Sequence, residues 1–154
     1  MTQDSQWTYN QLPFSQPTPD IVGFVYIITN LLTNRQYIGK KNFWGTKTSQ
    51  KTVIIKSTGL KKKKKIRTQI PSDWETYFGS NDELKKDVAL HGEQNFTRVI
   101  LRLCTSKGEM SYFEARYQFE MDVILHPDKF YNVWIMVRTH RTHLKDLVVT
   151  RSST

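Results

Sequence analysis

At 154 residues the chain is long enough for one domain with a real core and too short for a catalytic domain plus a large separate recognition module. Its 23 lysines and arginines against 14 acidic residues leave +9 at pH 7 and a pI near 9.7, which favours a polyanionic partner such as nucleic acid over an acidic small molecule. No run of about 18 apolar residues and no basic amphipathic helix stands out, so neither a spanning nor an interfacial membrane segment is expected.

Met1 to Pro19 lacks the charged and apolar regions of a signal peptide, which predicts an intracellular, cytoplasmic protein. Residues 1–20 are rich in Gln, Thr, Ser and Pro, and Pro13, Pro17 and Pro19 exclude a long helix. This predicts an extended N-terminal arm whose aromatics, Trp7 and Phe14, have no obvious core to join. The arm is read either as a tail lying on the domain or as a contact between copies of the chain.

Phe24, Tyr26 and Ile28 alternate with Val25, Ile27 and Thr29, the period of a strand, and a second strand-like run follows over Gln36 to Lys41. The connection from Asn30 to Arg35 holds two asparagines, which tolerate the backbone angles of a reversal, so the pair is predicted to be a hairpin. At its end, tyrosines, Gly39 and the lysines Lys40 and Lys41 place phenols and ammonium groups beside accessible backbone, a combination that suits a phosphate.

Residues 46–67 are a polar insertion, with Lys61, Lys62, Lys63, Lys64 and Lys65 in succession. Such a block repels itself and is expected as solvated loop, either merely solubilising or clamping a DNA backbone. Val53 to Ile55 is a candidate short strand. Ser72 to Ser80 is read as a helical turn and loop. Capping-box spacing at Ser80 and Glu83, with Gly92 as a C-terminal stop, predicts a helix over Asp82 to His91. Phe96 to Cys104 is strand-like and gives the sheet its third strand. Arg98 and Arg102 share one parity there and are expected to face outward.

A second such spacing, Ser106 and Glu109, opens a helix with Met110, Phe113, Tyr117, Met121 and Ile124 on one stripe, ending at Pro127. Residues 138–154 are a basic tail. Cys104, the single cysteine, lies in an apolar run and reads as a small buried hydrophobe. His140 and His143 have ligand-like spacing but no cysteine nearby, which argues against zinc. His91 ends a helix, where a cation is favoured, or faces a DNA groove.

Gly23-Phe24-Val25-Tyr26, ten intervening residues and Tyr37-Ile38-Gly39 together resemble the paired signature of the GIY-YIG nuclease superfamily. Trp74-Glu75-Thr76-Tyr77-Phe78-Gly79-Ser80 resembles a Trp-x-x-Tyr-x-Gly-Ser element of one branch, and the likeness runs from about Ile21 to about Val133. The resemblance implies an α/β (α+β) single domain over 21–137, with a small three-stranded, mainly antiparallel sheet flanked by helices.

It also implies a DNA endonuclease of phage, mobile-element or restriction type, dependent on Mg²⁺ or Mn²⁺ and acting on double-stranded DNA. Glu114 then is the metal anchor and Tyr26 the general base, provided that lysines or the metal lower its pKa. Tyr37 orients, Tyr77 is a further phosphate ligand, and Asn132 fixes the surroundings of Glu114. The arginine that the family supplies after the second strand has no counterpart before Arg67; Lys41 or Lys40 is the leading substitute and Arg67 the second. A homodimer is expected on duplex DNA. The competing readings are a basic nucleic-acid-binding protein on the same fold without turnover, and an inhibitory protein whose lysines meet an acidic surface.

Overall fold

The structure, a computed structural model, describes residues 5–149; the outermost parts of the expected arm and tail, 1–4 and 150–154, lie outside the described residues. Its strands are β1 Trp7–Tyr9, β2 Leu12–Pro13, β3 Gly23–Asn30, β4 Gln36–Asn42, β5 Trp44–Ile54, β6 Lys61–Pro71 and β7 Phe96–Cys104. Five of them form a mixed sheet in the order β2-β1-β7-β3-β4. The expected hairpin is β3 and β4, antiparallel from Gly23 opposite Asn42 to Thr29 opposite Gln36. Its reversal depends on both asparagines, for Asn34 takes φ +60° and the Asn30 side chain accepts from the Leu32 amide at 3.0 Å.

Three strands were too few. The segment read as an arm supplies β1, parallel to β7, and β2, which folds back on β1 through Asn10 and Gln11, both at positive φ. A two-residue loop with both central angles positive matches strand twist, and such a short hairpin has no sequence period to betray it. Nor do Trp7 and Phe14 reach for another copy. Trp7 is 1% exposed, packs against Phe24 and Tyr26, and donates to the Trp74 carbonyl at 2.7 Å. Phe14 stacks on Phe43 at 5.7 Å.

Each sheet face buries one apolar cluster, the two-layer logic that lets a sheet hide both sides. Phe24, Tyr26, Ile28 and Ile100 meet Trp74 and Leu84 on one face, under helix α1 Asp82–His91. Val25, Ile38 and Cys104 meet Met110 and Phe113 of α2 Lys107–Glu120 on the other. Burial pushes the Cys104 thiol up to about 12, as befits a core residue rather than a nucleophile.

The cap of α1 is Asn81, whose side chain accepts from the Leu84 amide, not Ser80. Ser106 caps α2 as expected, accepting from the Glu109 amide at 3.0 Å. That helix ends at Glu120 rather than near Pro127, because Asp122 takes φ +51°, and Met121 and Ile124 are consequently exposed.

Arg98 and Arg102 do not share a face. A bulge between Val25 and Tyr26 lets Tyr26 pair with Ile100 and Val25 with Arg102, and one extra residue inverts the parity beyond it. Arg98 is buried, stacked on Trp7 and Phe78, and donates to the carbonyls of Glu75 and Tyr77. Arg102 lies over Phe113 and pairs with Glu109.

The lysine-rich insertion is ordered backbone rather than loop. Strands β5 and β6 form a separate two-stranded ribbon, paired along its whole length from Trp44 opposite Pro71 to Ile54 opposite Lys61. Alternating Thr and β-branched residues carry the strand preference that the lysine block obscures. A 3-10 segment, Arg141–Leu147, lies in the tail.

Candidate active site

Strand β4 is one of the two outer strands of the sheet, and its outward-facing backbone groups would be left unpaired without other cover. They are met in sequence. Gln36 pairs with the segment after α2, its amide donating to the Lys129 carbonyl and its own carbonyl accepting from Tyr131. Ile38 is met by side chains: Asn132 accepts from its amide at 3.1 Å and donates to its carbonyl at 2.8 Å, and Gln118 donates to the same carbonyl at 3.0 Å. The Lys40 amide hydrogen-bonds to the Glu114 carboxylate. Glu114 thus sits on the sheet edge.

Its side chain is only 15% exposed, with the Lys40 ammonium 3.8 Å away. Burial raises the carboxyl above the usual carboxylate range, against the opposing pull of Lys40. Lys40 in turn donates to Ser111 at 2.9 Å. A cleft of about 260 Å³ opens beside Glu114, lined also by Tyr37, Ser80, Gln118 and Asn132 and walled by Val133, Trp134 and Met136.

Opposite the edge stands a cluster of phenols. Tyr26 packs against Tyr37 at 6.2 Å and Tyr77 at 6.0 Å between centroids, and its hydroxyl is hydrogen-bonded to Tyr77. Gly39, paired with Tyr26 across the hairpin, makes this possible: a Cβ there would lie 2.5 Å from the Tyr26 hydroxyl and 2.9 Å from the Tyr37 ring. Any larger residue would displace the phenol. Tyr77 is held by its backbone, through the bond from Arg98 to its carbonyl, and Gly79, at φ +90° and in contact range of Leu84, turns the chain back toward α1.

Burial, and then the neighbouring Tyr77, push the Tyr26 phenol well above its ordinary value. Tyr37 is raised by burial too, and donates or accepts at Ser80 over 3.1 Å. Lysines do not lower either. Lys41, the leading substitute for the family arginine, is bound to Asp73 at 2.5 Å and stacked 4.0 Å from the Tyr77 ring; its hydrogen bond holds the Asp73 carboxyl below the usual range. The cation beside Glu114 is Lys40.

Arg67 stands on the ribbon opposite Thr48, lining a separate hollow with Trp44 and Lys107, so the fold does not bring it to Glu114. Among the described residues, none that lines the Glu114 cleft is an arginine. His91 closes α1, where its carbonyl accepts from Asn95 at 2.6 Å, away from the cleft residues. Lys61 to Lys65 are exposed on β6.

Gln118, Asn81 and Trp134 belong to the cleft, yet no motif in the sequence marks them, whereas Ser80, also in the cleft, closes the Trp-x-x-Tyr-x-Gly-Ser element. Gln118 lies one helical turn beyond Glu114, a spacing that shares a face. Its amide nitrogen is fixed on Ile38, and its oxygen is buried with no hydrogen-bond partner. One desolvated carboxylate and one orphaned amide oxygen form a hard, all-oxygen donor set, and magnesium needs no more than one or two carboxylates beside water and phosphate oxygens. The donors therefore fit such an ion, and among the described residues no group of three His, Cys, Asp or Glu offers a rival site.

The sheet thus gathers a carboxylate, a lysine and three tyrosines around the β3–β4 hairpin. The family described as putative endonuclease segE, GIY-YIG domain, matches residues 7–135, and the chain belongs to that family, within the GIY-YIG nuclease superfamily. The match begins at Trp7, the first residue of β1. No curated protein and no solved structure matches the chain.

Proposed function

We propose that the chain is a Mg²⁺-dependent DNA endonuclease hydrolysing phosphodiester bonds in duplex DNA, of the phage, mobile-element or restriction type. The observation that carries this reading is Glu114, desolvated on the edge of β4 with Lys40 on one side and the phenol cluster on the other, in a family of endonucleases. Glu114 and Gln118 would hold the ion, Mg²⁺ or Mn²⁺, which when bound neutralises charge on the phosphate oxygens and stabilises the leaving oxygen.

The rest falls to the chain's own side chains. Lys40, with its ammonium 3.8 Å from the Glu114 carboxylate, would add the fixed positive charge that the missing arginine would have supplied. Tyr26 is neutral in the free protein, so its hydroxyl orients the attacking water as a hydrogen-bonding partner before it can take a proton. Tyr37 and Tyr77 hold Tyr26 and present their own hydroxyls to phosphate. Asn132 fixes Ile38, and with it the edge on which Glu114 rests. Lys61 to Lys65 bind phosphates of the flanking duplex.

Incubation of purified protein with supercoiled plasmid, in Mg²⁺ or in EDTA, tests this directly. Nicking or linearisation that requires the metal is the expected result. A mobility shift without any cleavage would instead support a binding protein on the same fold, the reading favoured by the absence of an arginine from the cleft.

A further inference from the structure

The register of the β5–β6 ribbon sorts its side chains into two unlike faces, since opposed residues in an antiparallel pair share a side. One face pairs Thr46 with Gln69, Thr48 with Arg67, Gln50 with Lys65 and Thr52 with Lys63. It is a row of three hydroxyls and one amide on β5 running beside Gln69 and the cations Arg67, Lys65 and Lys63 on β6. The other face holds Lys47, Lys51, Lys62 and Lys64 around Val53 and Ile66, with Lys51 directly opposite Lys64.

A two-stranded hairpin is marginal in water by itself, and like charges placed directly across a ladder destabilise it. Nearly every ribbon residue is exposed, so no core compensates. Polyanion binding removes both costs at once. The dimensions select the anion: strands about 4.8 Å apart and about 35 Å long match a groove about 12 Å wide that turns once in roughly 34 Å. The root of the ribbon is continuous with the catalytic edge, since Lys40, Lys41, Trp44 and Gly45 line one hollow.

We propose that the ribbon lies in the major groove of duplex DNA with its Thr46, Thr48, Gln50 and Thr52 row against the base edges, so that this arm sets sequence preference. This rests on DNA being the substrate, as proposed above. Glutamine can meet adenine through two hydrogen bonds, threonine can touch the thymine methyl, and Arg67 can meet guanine. The lysines of both faces reach the phosphates that border the groove, which positions the arm but carries no sequence information.

Binding selection tests it: the full chain is incubated in EDTA with duplexes carrying a randomised tract, and the retained molecules are sequenced. A base preference spanning no more than about one helical turn is expected. The double variant T48A/Q50A should lose at least about ten-fold of that preference while its affinity for random duplex stays within about three-fold. The variant K62Q/K64Q should keep the preference, bind every sequence less well, and lower the magnitude of the log-log salt slope by roughly 1.8, from about 0.9 per neutralised phosphate.

Absence of any preference, or a preference that survives T48A/Q50A, overturns the groove reading. Because no cleavage is measured, the nuclease reading stands or falls apart from it. Plasmid cut without preference sinks only the groove assignment, and preference without metal-dependent cutting sinks only the nuclease.

Discussion

Glu114 is where chemistry and stability pull against each other. Its carboxyl is raised by burial, so the folded protein favours the protonated form more than the unfolded chain does, and ionising it opposes folding. The stability associated with the protonated carboxyl is fully present below the unfolded value, near about 4.3, and is lost as pH rises through the higher folded value. Replacing it by an uncharged isostere should relieve that cost at neutral pH: Glu114→Gln is expected to melt higher than the parent at pH 7.5, with the difference vanishing near pH 4. Thermal melts across a pH series check this, and an unchanged difference at all pH values would refute the burial account. Function should move the other way. Glu114→Ala is expected to lose about a hundredfold or more in cleavage while DNA binding changes little, the usual cost of removing a principal electrostatic stabiliser. More than a tenth of the parental nicking rate would exclude it as the metal anchor.

Among the elements, the first short hairpin and the ribbon are those whose weight the sequence hides. Trp7 is fully enclosed between β3 and the Trp74 turn, so Trp7→Ala should cost about 3–5 kcal/mol, as large core truncations do, and deletion of residues 1–19 should abolish cooperative unfolding. Retention of the parental melting temperature after that deletion would contradict the placement of β1 in the sheet. The ribbon has the opposite character, with side chains that are nearly all exposed. Changing Lys61 to Lys65 to glutamine should leave the melting temperature nearly unchanged, weaken all duplexes alike, and reduce the magnitude of the salt slope by roughly 0.9 for each phosphate that the lysines no longer neutralise. An unchanged slope would make the run a solubilising segment only.

For the whole molecule, under the proposed function one cleft would cut one strand at a time, so a double-strand break would need two visits or two copies across a two-fold axis. A homodimer on duplex DNA is the expected assembly, although Trp7 is enclosed in the core and Phe14 packs half-buried against it, so the arm's aromatics are not its contacts. Sedimentation with an uncleavable duplex in EDTA should give the mass of two chains per site, and linear plasmid should form without a large nicked intermediate. One chain per site together with accumulating nicked plasmid would overturn it.

What could be read from the sequence is what short-range chemistry determines. Alternation in Phe24 to Thr29, the asparagines of the reversal, the Ser106 cap and the stripe through Met110 and Phe113 each act over a few residues, and each places its element correctly. Of the signature residues, Gly39 lies against Tyr26 and Tyr37, and Tyr37 shares a cleft with Glu114. Long-range geometry decided the rest. A single bulge turned Arg98 inward and Arg102 to the opposite face, because parity beyond a bulge depends on the partner strand and not on the residue itself. Which lysine meets Glu114 depended on side alternation along β4, which sends Lys41 to Asp73 and leaves Lys40 at the edge. Gln118 joined the site by donating, together with Asn132, to the Ile38 carbonyl on an edge strand, a contact that exists only once the sheet has formed.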